Sequence, residues 1–263
     1  FGLGQNTKID SINIIWPNAT VSSVKVNTID SLYQFNQTQL KANPLIKKEI
    51  SVKPIFTEIA AKFDRHQEDD HVDFYAERII PRMLSQEGPK AASADLNGDG
   101  LVDIFIGGAN GKGGAIFIQN TSGGFVKKPQ AAFVPFNEME DVAAVFYDAD
   151  KDGDMDLLVG AGGNHKLKSS GLLNHRLFLN DGKANFTHKP NAFPEFGFNT
   201  GVMVPLDFDG DGDMDVFVGA RNTPLKYGVT PASAIYVNDG KGMYTDQTAT
   251  IAPAFANLGM VTS

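Results

Sequence analysis

Short apolar runs recur along residues 88–263 in a fixed order, each bounded by polar, turn-forming residues, and the order comes round three times. One acidic loop is followed by Ile104, Phe105, Ile106 and Gly107. The next is followed by Leu157, Leu158, Val159 and Gly160, and the third by Val216, Phe217, Val218 and Gly219. The loops start 53 and then 59 residues apart. A further apolar run in each copy (Ile116 to Ile118, Leu177 to Leu179, Ile235 to Val237) leads to a second landmark rich in Asn, Asp and Gly. These landmarks are Asn120 to Phe125, Asn180–Asp181–Gly182 to Phe186, and Asn238–Asp239–Gly240 to Tyr244. Such residues supply the positive φ angles that tight hairpins need. Four short strands per copy, joined as an antiparallel meander, predict an all-β chain. One sheet has two faces to bury and must stack on its neighbours, so the predicted fold is a β-propeller with three full repeats plus partial ones.

The ends break the pattern. Ile12, Ile14 and Trp16 alternate before Pro17 and Asn18, and Val24 and Val26 return, which predicts a short β-hairpin ahead of the blades. The expected division is a β segment over 1–40, a linker over 41–54 with Pro44, Lys47, Lys48 and Pro54, and blades over 55–263. Phe255 to Ser263 read as the opening strand of a further blade, truncated there.

No run of 18 apolar residues exists, so no membrane insertion is expected in this segment. The absence of cysteine excludes disulfide frameworks, zinc ribbons and thiol chemistry. The net charge of −8 argues against nucleic acid as a partner. Its distribution is more telling, because 13 of 23 Asp fall in three nine-residue windows, outside which the net charge is +4.

The windows share one layout. Positions 1, 3, 5, 7 and 9 are Asp95, Asn97, Asp99, Leu101 and Asp103 in the first, and Asp148, Asp150, Asp152, Asp154 and Asp156 in the second. In the third they are Asp207, Asp209, Asp211, Asp213 and Asp215, and position 6 is always glycine. Oxygen ligands at 1, 3 and 5, a glycine at 6 and a carbonyl at 7 are how a short loop wraps a hard cation, calcium above all. The Asp at position 9 can close the shell. Position 12 is Ile106, Val159 and Val218, not the bidentate Glu of an EF-hand. Turn formation alone needs Asp, Asn and Gly but gains nothing from repelling carboxylates at alternate positions in triplicate. About three Ca2+ sites are therefore expected, the first weakest because Asn97 and Leu101 replace acids.

The acidic loop with its apolar-Gly tail resembles the FG-GAP/VCBS repeat over roughly 88–263. Phe1, Gly2, Leu3 and Gly4, with Ile12 to Pro17, resemble the end of an ASPIC/UnbV domain, as in proteins similar to cartilage acidic protein. On this resemblance residues 1–40 are the C-terminal part of such a domain. It implies an extracellular or cell-surface module, periplasmic or outer-membrane-associated in a bacterium. Adhesion to, or recognition of, a protein or glycan would be its role, with calcium fixing loops and no catalysis.

Two alternatives share that architecture: a lectin-like propeller using Tyr227 or Trp16, and a polysaccharide lyase using Lys168 or Arg221. In a meander the connectors between second and third strands lie on the rim opposite the acidic loops. They hold Asn164, His165, Lys166, Lys168, Arg221, Lys226 and Tyr227, a polar and basic mixture suited to binding. His66 and His71 lie among Glu68, Asp69, Asp70 and Asp73, a charge run that reads first as solvated and second as a metal or acid-base cluster. No HExxH pair, GxSxG elbow or phosphate loop is present.

Overall fold

The computed structural model describes residues 4–5, 7–44, 54–56, 62–164 and 170–262. The chain divides into two compact units, Phe1–Ile59 and Ala60–Ser263.

In the first unit, β1 (Ile12–Ile15) pairs antiparallel with β2 (Thr20–Val24) in the register Ile12 to Val24. The turn closes through Trp16 N–H to the Thr20 carbonyl at 2.9 Å, with Ala19 at φ 57°. Trp16 Nε1 donates to Ser22 Oγ at 2.9 Å, so the indole serves the hairpin. A third strand, β3 (Asn43–Pro44), pairs with β2, carrying this sheet into the stretch expected as a linker. The rest of that stretch, 45–53, lies outside the described residues.

The second unit is all-β apart from short helical turns and holds three four-stranded antiparallel meanders. The first is β4 (Ala91–Ala94), β5 (Asp103–Ile106), β6 (Ala115–Gln119) and β7 (Phe125–Lys128). The second is β8 (Glu140–Tyr147), β9 (Asp156–Gly162), β10 (Arg176–Asn180) and β11 (Phe186–Lys189). The third is β12 (Asn199–Leu206), β13 (Asp215–Asn222), β14 (Ala234–Asn238) and β15 (Tyr244–Asp246). Strand β8 lies against both β4 and β12, so the first strands of the blades are neighbours.

The unbroken apolar runs follow from this stacking, because a strand buried on both faces has no polar side to alternate with. In β9, Leu157 and Val159 enter a core with Leu96, Phe105, Ile116 and Phe178, between the first and second blades. Leu158, pointing to the other face, enters a core with Leu177, Met203, Val216, Val218 and Tyr236, between the second and third. Phe133, from a helical turn between the first two blades, meets Phe105 and Phe178 edge-on at 5.9 and 4.7 Å. Across the other interface the buried hydroxyls of Tyr147 and Tyr244 are 2.7 Å apart.

Beyond the third blade come α1 (Thr248–Ile251) and a 3-10 turn over Pro253–Asn257, which runs into the Phe255 to Ser263 stretch expected as an opening strand. Phe255 meets Phe217 at 5.5 Å. Only at Val261 does the backbone take up the expected role. Its N–H donates to the Ala220 carbonyl at 2.9 Å, as Asp141 N–H donates to the Gly108 carbonyl at 2.9 Å two interfaces earlier.

Candidate metal centres

Each acidic loop joins the first two strands of its blade, so all three share one rim with the turns between third and fourth strands. The loop backbone is shaped by its own side chains. Position 1 accepts the N–H of position 6: Asp95 from Gly100 at 2.8 Å, Asp148 from Gly153 at 3.0 Å and Asp207 from Gly212 at 3.1 Å. Position 5 accepts the N–H of position 7: Asp99 from Leu101, Asp152 from Asp154 and Asp211 from Asp213, at 2.8 to 2.9 Å. Gly100, Gly153 and Gly212 adopt φ of 81°, 93° and 84°, which a residue with a Cβ resists. The result is a tight coil with carboxylates on its concave side.

Whether a hard divalent ion suits that coil is a question about its oxygens. Asp148, Asp150 and Asp156 each place a carboxylate oxygen within 4.8 Å of the others, and so do Asp207, Asp209 and Asp215. Calcium–oxygen bonds of about 2.3–2.6 Å span such a gap. Asp148 Oδ1 and Asp150 Oδ1 are shielded from water yet receive no hydrogen bond. Burial, reinforced by Asp152 and Asp148, raises the pKa of Asp150; burial, opposed by two backbone N–H groups, lifts Asp156 to about 7. Partial desolvation and the charges of Asp211 and Asp215 raise Asp209. Both clusters are anion-rich, and that of the second loop leaves two carboxylate oxygens without a donor, a fit for a divalent cation.

The first loop differs. Asn97 Nδ2 donates to Asp99 Oδ2 at 3.1 Å, so an amide turns its hydrogen towards the acid it would otherwise help to form a cage. Asp95 is pulled up slightly by desolvation but held below its ordinary range by the N–H groups of Gly100, Asn97 and Gly98.

The Asp at position 9 has a job that its residue type did not announce. Asp103, Asp156 and Asp215 are fully buried. One oxygen of each accepts the N–H of position 2 (Leu96, Ala149, Phe208) at 2.9 to 3.1 Å. The other accepts the N–H that ends the third strand (Gln119, Asn180, Asn238) at 2.8 Å. This carboxylate pins the acidic loop to the third strand, while Asp156 and Asp215 remain in the converging groups.

That pairing also corrects the landmark alignment. Gln119, not Asn120, stands where Asn180 and Asn238 stand, and Asn120 matches Asp181 and Asp239 in capping the turn. The distinction matters between blades. Asn180 Nδ2 donates to the Leu96 carbonyl at 2.9 Å, and Asn238 Nδ2 to the Ala149 carbonyl at 2.8 Å, so each reaches into the acidic loop of the preceding blade. Gln119 instead accepts from Val102 N–H in its own loop at 3.1 Å.

On the opposite rim, several expected binding residues turn inward. Asn164 is fully buried and donates to Glu77 Oε2 at 2.6 Å while accepting from Asn222 Nδ2 at 3.1 Å. Arg221 forms an ion pair with Glu87. Glu77 also accepts the Tyr227 N–H at 2.6 Å, leaving the Tyr227 side chain exposed. His165, Lys166 and Lys168 lie outside the described residues. His66 meets Glu68 at 2.5 Å and His71 N–H donates to Asp69 at 3.0 Å within the run, and Asn110 Nδ2 donates to Asp69 Oδ2 at 2.8 Å, tying it to the first blade. Glu140, at the head of β8, is buried, and burial together with Glu68 raises its pKa to about 8.

Repeated four-stranded blades, each with an acidic loop after its first strand, define a class of repeat protein, and the family comparisons name it. Residues 95–159 match the FG-GAP-like repeat and 198–238 the FG-GAP repeat, while 1–42 match ASPIC and UnbV. The chain carries FG-GAP repeats and an ASPIC/UnbV segment, with the propeller-like fold such repeats form. No curated protein matches it. FG-GAP repeats point to recognition or adhesion, and no described helix is long and apolar enough to cross a membrane.

Proposed function

We propose that this chain is a calcium-stabilised, non-catalytic recognition module that works outside the cell or at its surface. One observation carries the reading: two trios of carboxylates converge to within 4.8 Å at equivalent places in consecutive blades. Asp148, Asp150, Asp152, the Asp154 carbonyl and Asp156 would hold one ion, and Asp207, Asp209, Asp211, the Asp213 carbonyl and Asp215 a second. Asp95, Asn97, Asp99, the Leu101 carbonyl and Asp103 would hold a third, more weakly. The ion's contribution is charge neutralisation: three would bring the net charge from −8 to −2. Loops of this kind suit the millimolar calcium found outside cells. The partner would be a protein or a glycan.

The lyase and lectin readings gain little. Arg221 is held by Glu87, and Trp16 is engaged with Ser22. Calorimetric titration with calcium tests the proposal, with uptake at two stronger sites and one weaker site expected. No uptake at millimolar calcium, or release of unsaturated uronates from a polysaccharide, defeats it.

A further inference from the structure

Position 4 of every acidic loop is left-handed, with φ of 74° at Gly98, 79° at Gly210 and 63° at Lys151. Glycine adopts that conformation freely, whereas a residue with a Cβ is disfavoured there. A lysine in the second loop therefore calls for a reason, and its far end supplies one. Lys151 Nζ reaches across to the third loop and forms an ion pair with Asp213 at position 7. It lies 3.8 Å from where a Cβ on Gly212 would stand. The hydrogen bond to Asp213 and the charges of Asp213, Asp211 and Asp207 hold it protonated. The corresponding link one blade earlier is missing, because Gly98 has no side chain to send to Asp154; Asp154 and Asp213 are otherwise placed alike, against Gly182 and Gly240.

An exposed ion pair alone is worth little and would not favour a strained backbone over the glycine found in both sister loops. A charge placed to act on a cation site would. Building on the calcium reading, we propose that Lys151 is a tethered counter-ion of the third loop, lowering its divalent affinity and tying its filling to the second loop. Without metal, the ammonium offsets part of the repulsion among Asp207, Asp211 and Asp213. When a divalent ion enters, that same ammonium opposes it, and a unit charge held at about 8 Å in water changes affinity about fivefold. Because Lys151 belongs to the second loop, an ion bound there repels it and changes how firmly it stays on the third.

The test is calcium titration calorimetry at low salt on the whole chain and on Lys151→Gly, Lys151→Asn and Lys151→Arg. Glycine and asparagine tolerate the left-handed backbone without the charge; arginine keeps the charge. Asp211→Asn identifies which binding step belongs to the third loop. That step should tighten about fivefold in the Gly and Asn variants and stay as in the parent with Arg, and the difference should shrink at high salt. Equal affinity across the series overturns the counter-ion role while leaving calcium binding in place. Failure of every chain, parent included, to take up calcium removes both.

Discussion

The first acidic loop and the two that follow share a backbone but not a charge density, and the contrast separates two functions that the repeat superimposes. The position 9 carboxylate pins loop to third strand in all three blades, whether or not the loop carries four other acids. Among the described residues, the converging carboxylates occur only where positions 3 and 7 are acidic. Coil geometry is thus set by Asp at positions 1, 5 and 9 with Gly at 6, and cation affinity is set by what is added to it.

The sharpest way to break that separation is to remove the pin. Asp103→Ala, Asp156→Ala and Asp215→Ala each strand two backbone N–H groups, both buried at Asp156 and one buried and one part-buried at the others, and at about 1–3 kcal/mol apiece each should lose about 2–6 kcal/mol. Urea denaturation with chelator present should give similar losses for all three. If the losses vanish with the metal, the residue is only a ligand.

Next in size is calcium itself. Chelation should lower the melting temperature, because each site filled at a hundred times its Kd adds about 2.7 kcal/mol. Replacing Asn97 and Leu101 with Asp together should strengthen the first site towards the other two by calorimetry, and an unchanged affinity would show that charge count is not the difference.

Smaller again is the clamp between blades. Asn180→Ala and Asn238→Ala each remove a hydrogen bond to a carbonyl of the preceding blade and should cost about 1–2 kcal/mol by denaturation, while Gln119→Ala should cost less. The effect confined to the narrowest conditions concerns Glu140. Its folded pKa near 8 exceeds the ordinary glutamate value of 4.5, so the folded chain holds a proton the unfolded chain has released. Stability from this group is complete below pH 4.5 and falls as pH rises towards 8. Glu140→Gln should flatten the decline in melting temperature between about pH 5 and 8; an identical decline would place the titration elsewhere.

Much of the fold was legible because β-strands buried on both faces leave a compact trace, and turn residues at fixed offsets punctuate it. Leu157, Leu158 and Val159 announced a strand from sequence, though not that alternate side chains enter different cores. The acidic windows were legible as well, being a local arrangement of ligand types. What escaped notice were roles set by distant partners. Asn164 and Arg221 looked like free polar residues because Glu77 and Glu87 come from a segment without periodicity. Gln119 was missed because Asn120 beside it has the side chain seen at Asn180 and Asn238.

The residues alone determined blade number in this stretch, strand order and the position of each acidic loop, because hydrogen-bond period and Asx-turn chemistry act over a few neighbours. The stacked structure alone decided that Asn180 and Asn238 clamp the preceding blade, that Asn164 and Arg221 meet Glu77 and Glu87, and that a lysine from one loop should lie over the next. Those outcomes depend on distances between groups far apart in the chain, fixed only once the sheets pack face to face.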